Sequence, residues 1–195
     1  MSIGEEKALL RRQMRAKSRA LDAGYRAAAD DAICRLIRQS PQYAAAKTVF
    51  AYLGVGWEID TRPLLEQILA DGKRLCLPRC IGPHEMAICV VRSLDELAAG
   101  AYGIPEPSEN SLTIPPQEVE LALVPCVAAD RAGRRLGQGG GYYDAFLKTY
   151  DGVSFLLCRE SALLPAVPVE NHDFQLPFLV TETKIHSFPV SCHKA

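Results

Sequence analysis

Apolar residues along this chain recur at two different periods. The segment EEKALLRRQMRAKSRAL (5–21) consists of strong helix formers, with acids in its first turn where the helix macrodipole favours them. In AGYRAAADDAICRLIRQ (23–39), Ala28, Ile33, Leu36 and Ile37 fall at helical spacing and predict a buried stripe, with Asp22 as N-cap and Pro41 as the stop. Beyond Pro41 the pattern changes. The runs TVFAYL, RLCLP, MAICVV, ELALVPCV, VSFLLC and FLVTE are short and rich in Val, Ile, Leu and Phe, which suits strands buried on both faces. TRPLLEQILADG, between the first two runs, reads as a helix. This alternation predicts an α/β fold: a single layered domain over residues 1–195, with a mostly parallel sheet flanked by helices and preceded by two N-terminal helices. The Pro- and Gly-rich stretch GAYGIPEPSENSLTIPP (100–116) reads as a long surface excursion, since a domain boundary there would leave two undersized pieces.

Composition narrows the function classes. With 22 Lys+Arg against 23 Asp+Glu, the chain carries no global field that would draw it to nucleic acid or to a membrane. No apolar run approaches the ~18–20 residues of a membrane span. The opening MSIGEEKALLRRQMR has acids where a secretory leader has its basic region, and no apolar stretch follows, so a cytoplasmic protein is expected. Seven cysteines (34, 76, 80, 89, 126, 158, 192) include no C-x-x-C pair; their odd number and apolar surroundings suggest buried thiols rather than disulfides or a zinc site.

The chemistry concentrates in RLGQGGGYYD (135–144), which places four glycines within the five positions 137–141. It follows the apolar run LALVPCV and the polar turn AADRAGRR, and precedes YYDAFLKTY, where Phe146, Leu147 and Tyr150 recur at helical spacing. Glycines between a strand's carboxyl end and a helix N-terminus permit phosphate oxygens to approach peptide N–H groups with no Cβ in the way. A tight strand–helix packing turn is the alternative reading. The segment is neither a P-loop, which ends in Gly-Lys-Ser/Thr, nor the G-x-G-x-x-G dinucleotide fingerprint. Asp144 would repel a bound phosphate unless a cation lay between them, which points to Mg²⁺. A helix N-terminus contributes only ~0.3–1 kcal/mol per neighbouring charge when exposed, so a triphosphate needs further cations. Lys7, Arg11 and Arg15 at i, i+4 and i+8 share one helical face, with Arg12 and Arg19 on an adjoining one; Arg135 adds another candidate. A solvated basic face is the competing reading of that stripe.

The motifs KALLR (7–11), WEIDT (57–61), DRAGRRLGQGGGYYD (130–144) and NHDFQLP (171–177), in this order, resemble the 5-formyltetrahydrofolate cyclo-ligase family, also called methenyltetrahydrofolate synthetase. The resemblance covers nearly the whole chain, and its glycine segment is the most specific part. It implies closure of 5-formyltetrahydrofolate to 5,10-methenyltetrahydrofolate, dependent on ATP and Mg²⁺, with release of ADP and phosphate. It further implies that Lys7, Arg11, Arg135, Leu136, Gly137, Gln138, Gly139, Gly140, Gly141, Tyr142 and Tyr143 hold ATP. Leu53 and Glu58 would contact the folate, joined by Gln138, Gly139, Gly140, Gly141 and Tyr142 where the two substrates meet. Asp144 and Asp173 would bind Mg²⁺. No protein nucleophile is implied: catalysis would come from positioning and charge neutralisation.

Read without the family, Glu58 follows the strand VFAYL and is either a pterin contact or a surface acid, and Trp57 either walls a pocket or packs. His172 reads as a surface histidine. Ala145 stands where many bacterial members carry Arg, and Gln138 and Gly140 stand where some relatives are basic, which places more neutralisation on Lys7, Arg11 and the metal. The expected partners are the two small-molecule substrates, with no nucleic acid or membrane, and a monomer is expected. A non-catalytic nucleotide- or folate-binding module is the second hypothesis.

Overall fold

Ser2 opens the first helix through a capping box: its hydroxyl accepts from the Glu5 N–H while the Glu5 carboxylate accepts from the Ser2 N–H. That helix, α1, spans Ile3–Arg19, and α2 follows over Ala23–Gln39 with Asp22 as its N-cap. The computed structural model describes residues 2–170 and 173–189; His172, expected at the surface, and Cys192, expected to be buried, lie outside the described residues. Pro41 does more than stop α2. It is the first residue of a short helix α3, Pro41–Ala45, where its missing N–H costs nothing.

The remaining elements in chain order are β1 (Thr48–Phe50), α4 (Arg62–Ala70), β2 (Arg74–Gly82), β3 (Glu85–Val91), β4 (Ala98–Ala99), β5 (Pro105–Glu106), β6 (Thr113–Ile114), β7 (Leu121–Val124), β8 (Ala128–Asp130), β9 (Arg135–Leu136), α5 (Tyr142–Thr149), β10 (Val153–Leu157), β11 (Leu163–Leu164), β12 (Phe178–Val180) and β13 (Ile185–Ser187). The main sheet has the order β13-β12-β10-β7-β1-β2-β3-β6. Its middle five strands run parallel, while β13 at one edge and β3 and β6 at the other are antiparallel.

The parallel strands are covered on both faces, and period-2 alternation decides which side chain goes where. Phe50, Ala122, Val124 and Leu156 face one core with Met14 of α1 and Phe146 and Leu147 of α5. Val49, Leu121, Leu123, Phe155 and Leu157 face the other, with Ile33 and Ile37 of α2 and Leu64, Leu65 and Ile68 of α4. The expected layered α/β architecture is therefore present, with its two N-terminal helices on opposite faces of the sheet.

Several details differ from the sequence expectation. The buried stripe of α2 uses Ala29 and Asp30 in place of the exposed Ala28, so an acid enters the protein interior. MAICVV forms the second arm of an antiparallel β2–β3 hairpin rather than a parallel strand. The excursion at 100–116 contributes β5 and the edge strand β6. Strand β7 stops at Val124 because Pro125 cannot donate to the ladder. The glycine segment does not follow β7 directly: the β8–β9 hairpin intervenes, and β8 also pairs with β11 in a small second sheet.

Candidate active site

The glycine loop runs from β9 into α5, whose N-cap, Gly141, is left-handed at φ 70°. Gly139 lies at φ 99°, outside the range ordinary side chains adopt, and a Cβ at Gly141 would come within 2.9 Å of the His84 imidazole. Three carbonyls of the loop are held from outside it. Arg11 Nε donates to the Gly137 oxygen at 2.8 Å, Arg15 Nη2 to the Gln138 oxygen at 2.9 Å, and His84 Nδ1 lies 2.6 Å from the Gly140 oxygen. Among the described residues, the amide N–H groups of 137–141 meet no protein acceptor. Cations gripping the carbonyl side of a peptide run leave its N–H side for an anion. That geometry favours the anion-site reading over a packing turn.

Helix α1 supplies the grip. Met14 and Ser18 bury one flank of it, and from there Arg11 and Arg15 reach the loop carbonyls. Lys7 is itself buried, its Nζ 2.6 Å from Asp173 and 2.8 Å from Glu170. Burial alone would lower the Lys7 ammonium, but the hydrogen bonds to Asp173 and Glu170 outweigh it and hold the group above its ordinary value. Burial lowers the Arg11 guanidinium, and Arg15 adds to that, while Asp144 and Asp173 act in the opposite direction. Both expected metal acids thus lie within the field of Arg11.

Beneath the loop is a cavity of about 570 Å³. Its walls come from chain that follows β1 (Tyr52, Leu53), from β2 (Leu77, Pro78, Cys80), from Pro125 after β7, and from the loop itself. These are the carboxyl ends of adjacent parallel strands, where open α/β sheets place their ligands. Trp57 and Glu58 close one side. The Glu58 carboxylate accepts from the Val55 N–H at 3.1 Å and from the Gln138 side-chain amide at 2.9 Å, tying the wall to the loop. The Tyr143 hydroxyl is buried with no hydrogen-bond partner among the described residues. Burial, reinforced by the Glu58 charge, pushes the phenols of Tyr52 and Tyr143 well up, so both stay protonated.

The structure brings some of the expected site residues together and leaves others apart. Leu53, Glu58 and the loop from Gly137 to Tyr142 line one crevice, with Arg15 and Arg19 of α1. Arg11 meets the loop at the Gly137 carbonyl without lining the crevice, and Lys7 is held by Asp173 and Glu170 away from it. Arg135 is buried below the loop and pairs with Asp144 at 2.5 Å. Leu136 packs its side chain in the core, leaving only its backbone near the loop. Tyr143 faces the cavity rather than the free amides. Cys80, expected to be an inert buried thiol, is half-buried and lines the crevice, and Cys126 is likewise half-buried. Arg15 was legible as a cation on the shared stripe; His84 and Glu170 carried no sequence signal.

Among the described residues, no three His, Cys, Asp or Glu side chains form a metal cluster. Asp144 and Asp173 each hold a cationic side chain instead. Mg²⁺ takes one or two carboxylates, retains waters and shares substrate phosphates, so carboxylates that now pair with Lys7 and Arg135 have the donor chemistry for an ion that arrives on a nucleotide. Among the described residues, no helix is long and apolar enough to cross a membrane.

Residues 3–182 match the 5-formyltetrahydrofolate cyclo-ligase family. A probable 5-formyltetrahydrofolate cyclo-ligase of Schizosaccharomyces pombe is 31% identical over 170 residues, covering 78% of this chain and 83% of the relative. The 5-formyltetrahydrofolate cyclo-ligase of Escherichia coli K12 is 32% identical over 151 residues, covering 74% and 83%. The 5,10-methenyltetrahydrofolate synthetase of Aquifex aeolicus superposes with a TM-score of 0.84 at 29% identity, over 97% of this chain and 96% of that one. The corresponding synthetase of Mycoplasma pneumoniae, 20% identical with a TM-score of 0.72, has the same fold. Over nearly its whole length, then, this chain belongs to the 5-formyltetrahydrofolate cyclo-ligase family of enzymes.

Proposed function

We propose that this enzyme uses ATP and Mg²⁺ to convert 5-formyltetrahydrofolate to 5,10-methenyltetrahydrofolate, releasing ADP and phosphate. The row of amides at 137–141, which meet no acceptor among the described residues and belong to the loop lining the 570 Å³ crevice, is the observation that carries this reading. A formamide oxygen is a poor leaving group. The formyl oxygen attacks the γ-phosphorus and ADP leaves; N10 then adds its lone pair to the formyl carbon, phosphate departs with the C–O bond, and N10 loses its proton. Such transfers need alignment and charge neutralisation more than protein nucleophiles.

Each residue's part follows from its position. The amides of 137–141 hold phosphate oxygens. Lys7 has three N–H donors, two of them committed to Asp173 and Glu170, and turns the third to the nucleotide. Arg11, anchored through Nε, presents its remaining guanidinium N–H groups in the same direction. Leu53, Trp57 and the apolar wall exclude water from the pterin, and Glu58 accepts hydrogen bonds from its N–H groups. Asp144 and Asp173 would hold Mg²⁺, which would supply neutralisation of phosphate charge.

Incubating the purified protein with ATP, Mg²⁺ and 5-formyltetrahydrofolate should generate the methenyl product, read by its near-ultraviolet absorbance. Tight nucleotide binding without product would instead favour the binding module. Tyr143→Phe removes only a hydroxyl that has no hydrogen-bond partner among the described residues, so the fold should be unaffected. The folate KM should rise about fivefold, as expected for one neutral hydrogen bond, with the ATP KM unchanged. An unchanged folate KM would take that hydroxyl out of the pterin site. Asp144→Asn should abolish Mg²⁺-dependent turnover and weaken Mn²⁺ binding measured by electron paramagnetic resonance, while folate binding persists. Normal Mn²⁺ binding would remove Asp144 from the metal site.

A further inference from the structure

Glu58 stands on a turn after β1 rather than on a helix or strand, so its aim depends on what holds that turn. One buried guanidinium holds it. Arg159, immediately beyond β10, donates from Nη1 to the Trp57 carbonyl at 3.0 Å and from Nη2 to the Glu58 carbonyl at 2.8 Å. The other edge of the guanidinium grips Asp30 of α2, Nε to Oδ1 at 2.7 Å and Nη2 to Oδ2 at 2.8 Å. Asp30 Oδ2 also accepts from the Asp60 N–H at 2.9 Å, so both sides of the turn end on the same pair. Arg159 is 5% and Asp30 7% exposed.

A buried ion pair is a poor source of net stability, because desolvation consumes most of its attraction; apolar replacements are often neutral or better. What a guanidinium does provide is a rigid planar fork that fixes several acceptors relative to one another. Here those acceptors are the backbone of the two residues that wall the crevice.

We infer that Arg159, held by Asp30, is a positioning residue that sets the aim of Glu58 and thereby the affinity for the reduced pterin. The inference rests on the reading of Glu58 as a pterin contact. Arg159 touches neither substrate. It acts by keeping the Glu58 carboxylate and the Trp57 ring at a fixed distance from the loop.

Arg159→Lys tests this. An ammonium still faces Asp30, but it cannot reach both carbonyls at once. Trp57 is the chain's one tryptophan, so quenching of its fluorescence by 5-formyltetrahydrofolate reports binding without any turnover. The folate Kd should rise on the order of 10–100-fold, the loss typical of a misplaced site group, with the ATP Kd within about twofold of wild type. In a Glu58→Ala background the same substitution should add little further, because the two residues act as a unit. If Arg159→Lys does not fold, the paired replacement Arg159→Met with Asp30→Leu removes both charges together and serves the same comparison. A wild-type folate Kd in a folded variant, an equal rise for ATP, or a full additional loss in the Glu58→Ala background would each overturn the inference. Absence of methenyl product from the wild-type protein would overturn the proposed reaction instead, and the quenching titration would still judge the clamp.

Discussion

Replacing Gly139 with alanine should lower kcat/KM by about 100-fold while leaving the sheet intact, the scale expected when a reacting group is displaced by about an ångström. At φ 99° an alanine is strained, by roughly 1–2 kcal/mol for a left-handed backbone, and its Cβ would lie 3.4 Å from Arg11 Cζ. The peptide relieves that strain by rotating, and the Arg11 guanidinium in contact with it shifts too. These movements turn the 137–141 amides away from the crevice, and the Arg11 latch on the Gly137 carbonyl loosens with them. Gly72→Ala is the matched control. Gly72 also has a positive φ, 71°, but its Cβ would meet open space behind α4, so stability alone should fall. Comparing kcat/KM with the thermal midpoint of both variants separates backbone strain from loss of the anion site. Equal activity in the two would mean that the loop is only a packing turn.

Lys7→Met should damage both stability and nucleotide binding. It leaves Asp173 and Glu170 facing each other without the ammonium that now lies 2.6 and 2.8 Å away. Breaking such a pair from one side costs about 3 kcal/mol when it is buried. Glu170 is 38% exposed and can turn to water, which moderates the loss. The pH dependence has a definite sign. Because the Lys7 ammonium titrates above its ordinary value, its contribution is complete at neutral pH and is lost only in strong alkali, as pH rises through that raised value. The difference in thermal midpoint between wild type and Lys7→Met should accordingly hold from neutral to mildly alkaline pH. The ATP KM should rise about tenfold, on the scale of one charged hydrogen bond, with the folate KM little changed. Equal effects on both substrates would mean that Lys7 does not reach the phosphates.

The helices, the buried parallel strands and the glycine loop were legible because each follows from a local rule of period, capping or backbone freedom. What the loop's atoms do was not. Its carbonyls are gripped by Arg11, Arg15 and His84, residues 126, 123 and 56 positions away along the chain, and no spacing rule links them. The β8–β9 hairpin was read as a polar turn because its strands are three and two residues long, too short for alternation to register. Asp30 did leave a trace. An acid at helical spacing with Ile33 and Ile37 on a buried face demands a cationic partner, yet that partner, Arg159, lies 129 residues further on. Nor could Asp173 be foreseen as the holder of Lys7, since KALLR and NHDFQLP stand at opposite ends of the chain.

In the proposed reaction this crevice delivers the γ-phosphoryl group of ATP to the formyl oxygen of the folate. Substrate carrying ¹⁸O in its formyl group tests it directly, through the mass of the phosphate released in a single turnover. The account predicts that the label leaves the folate and appears in phosphate. Unlabelled phosphate, with methenyl product formed and the ¹⁸O recovered in water, would contradict it.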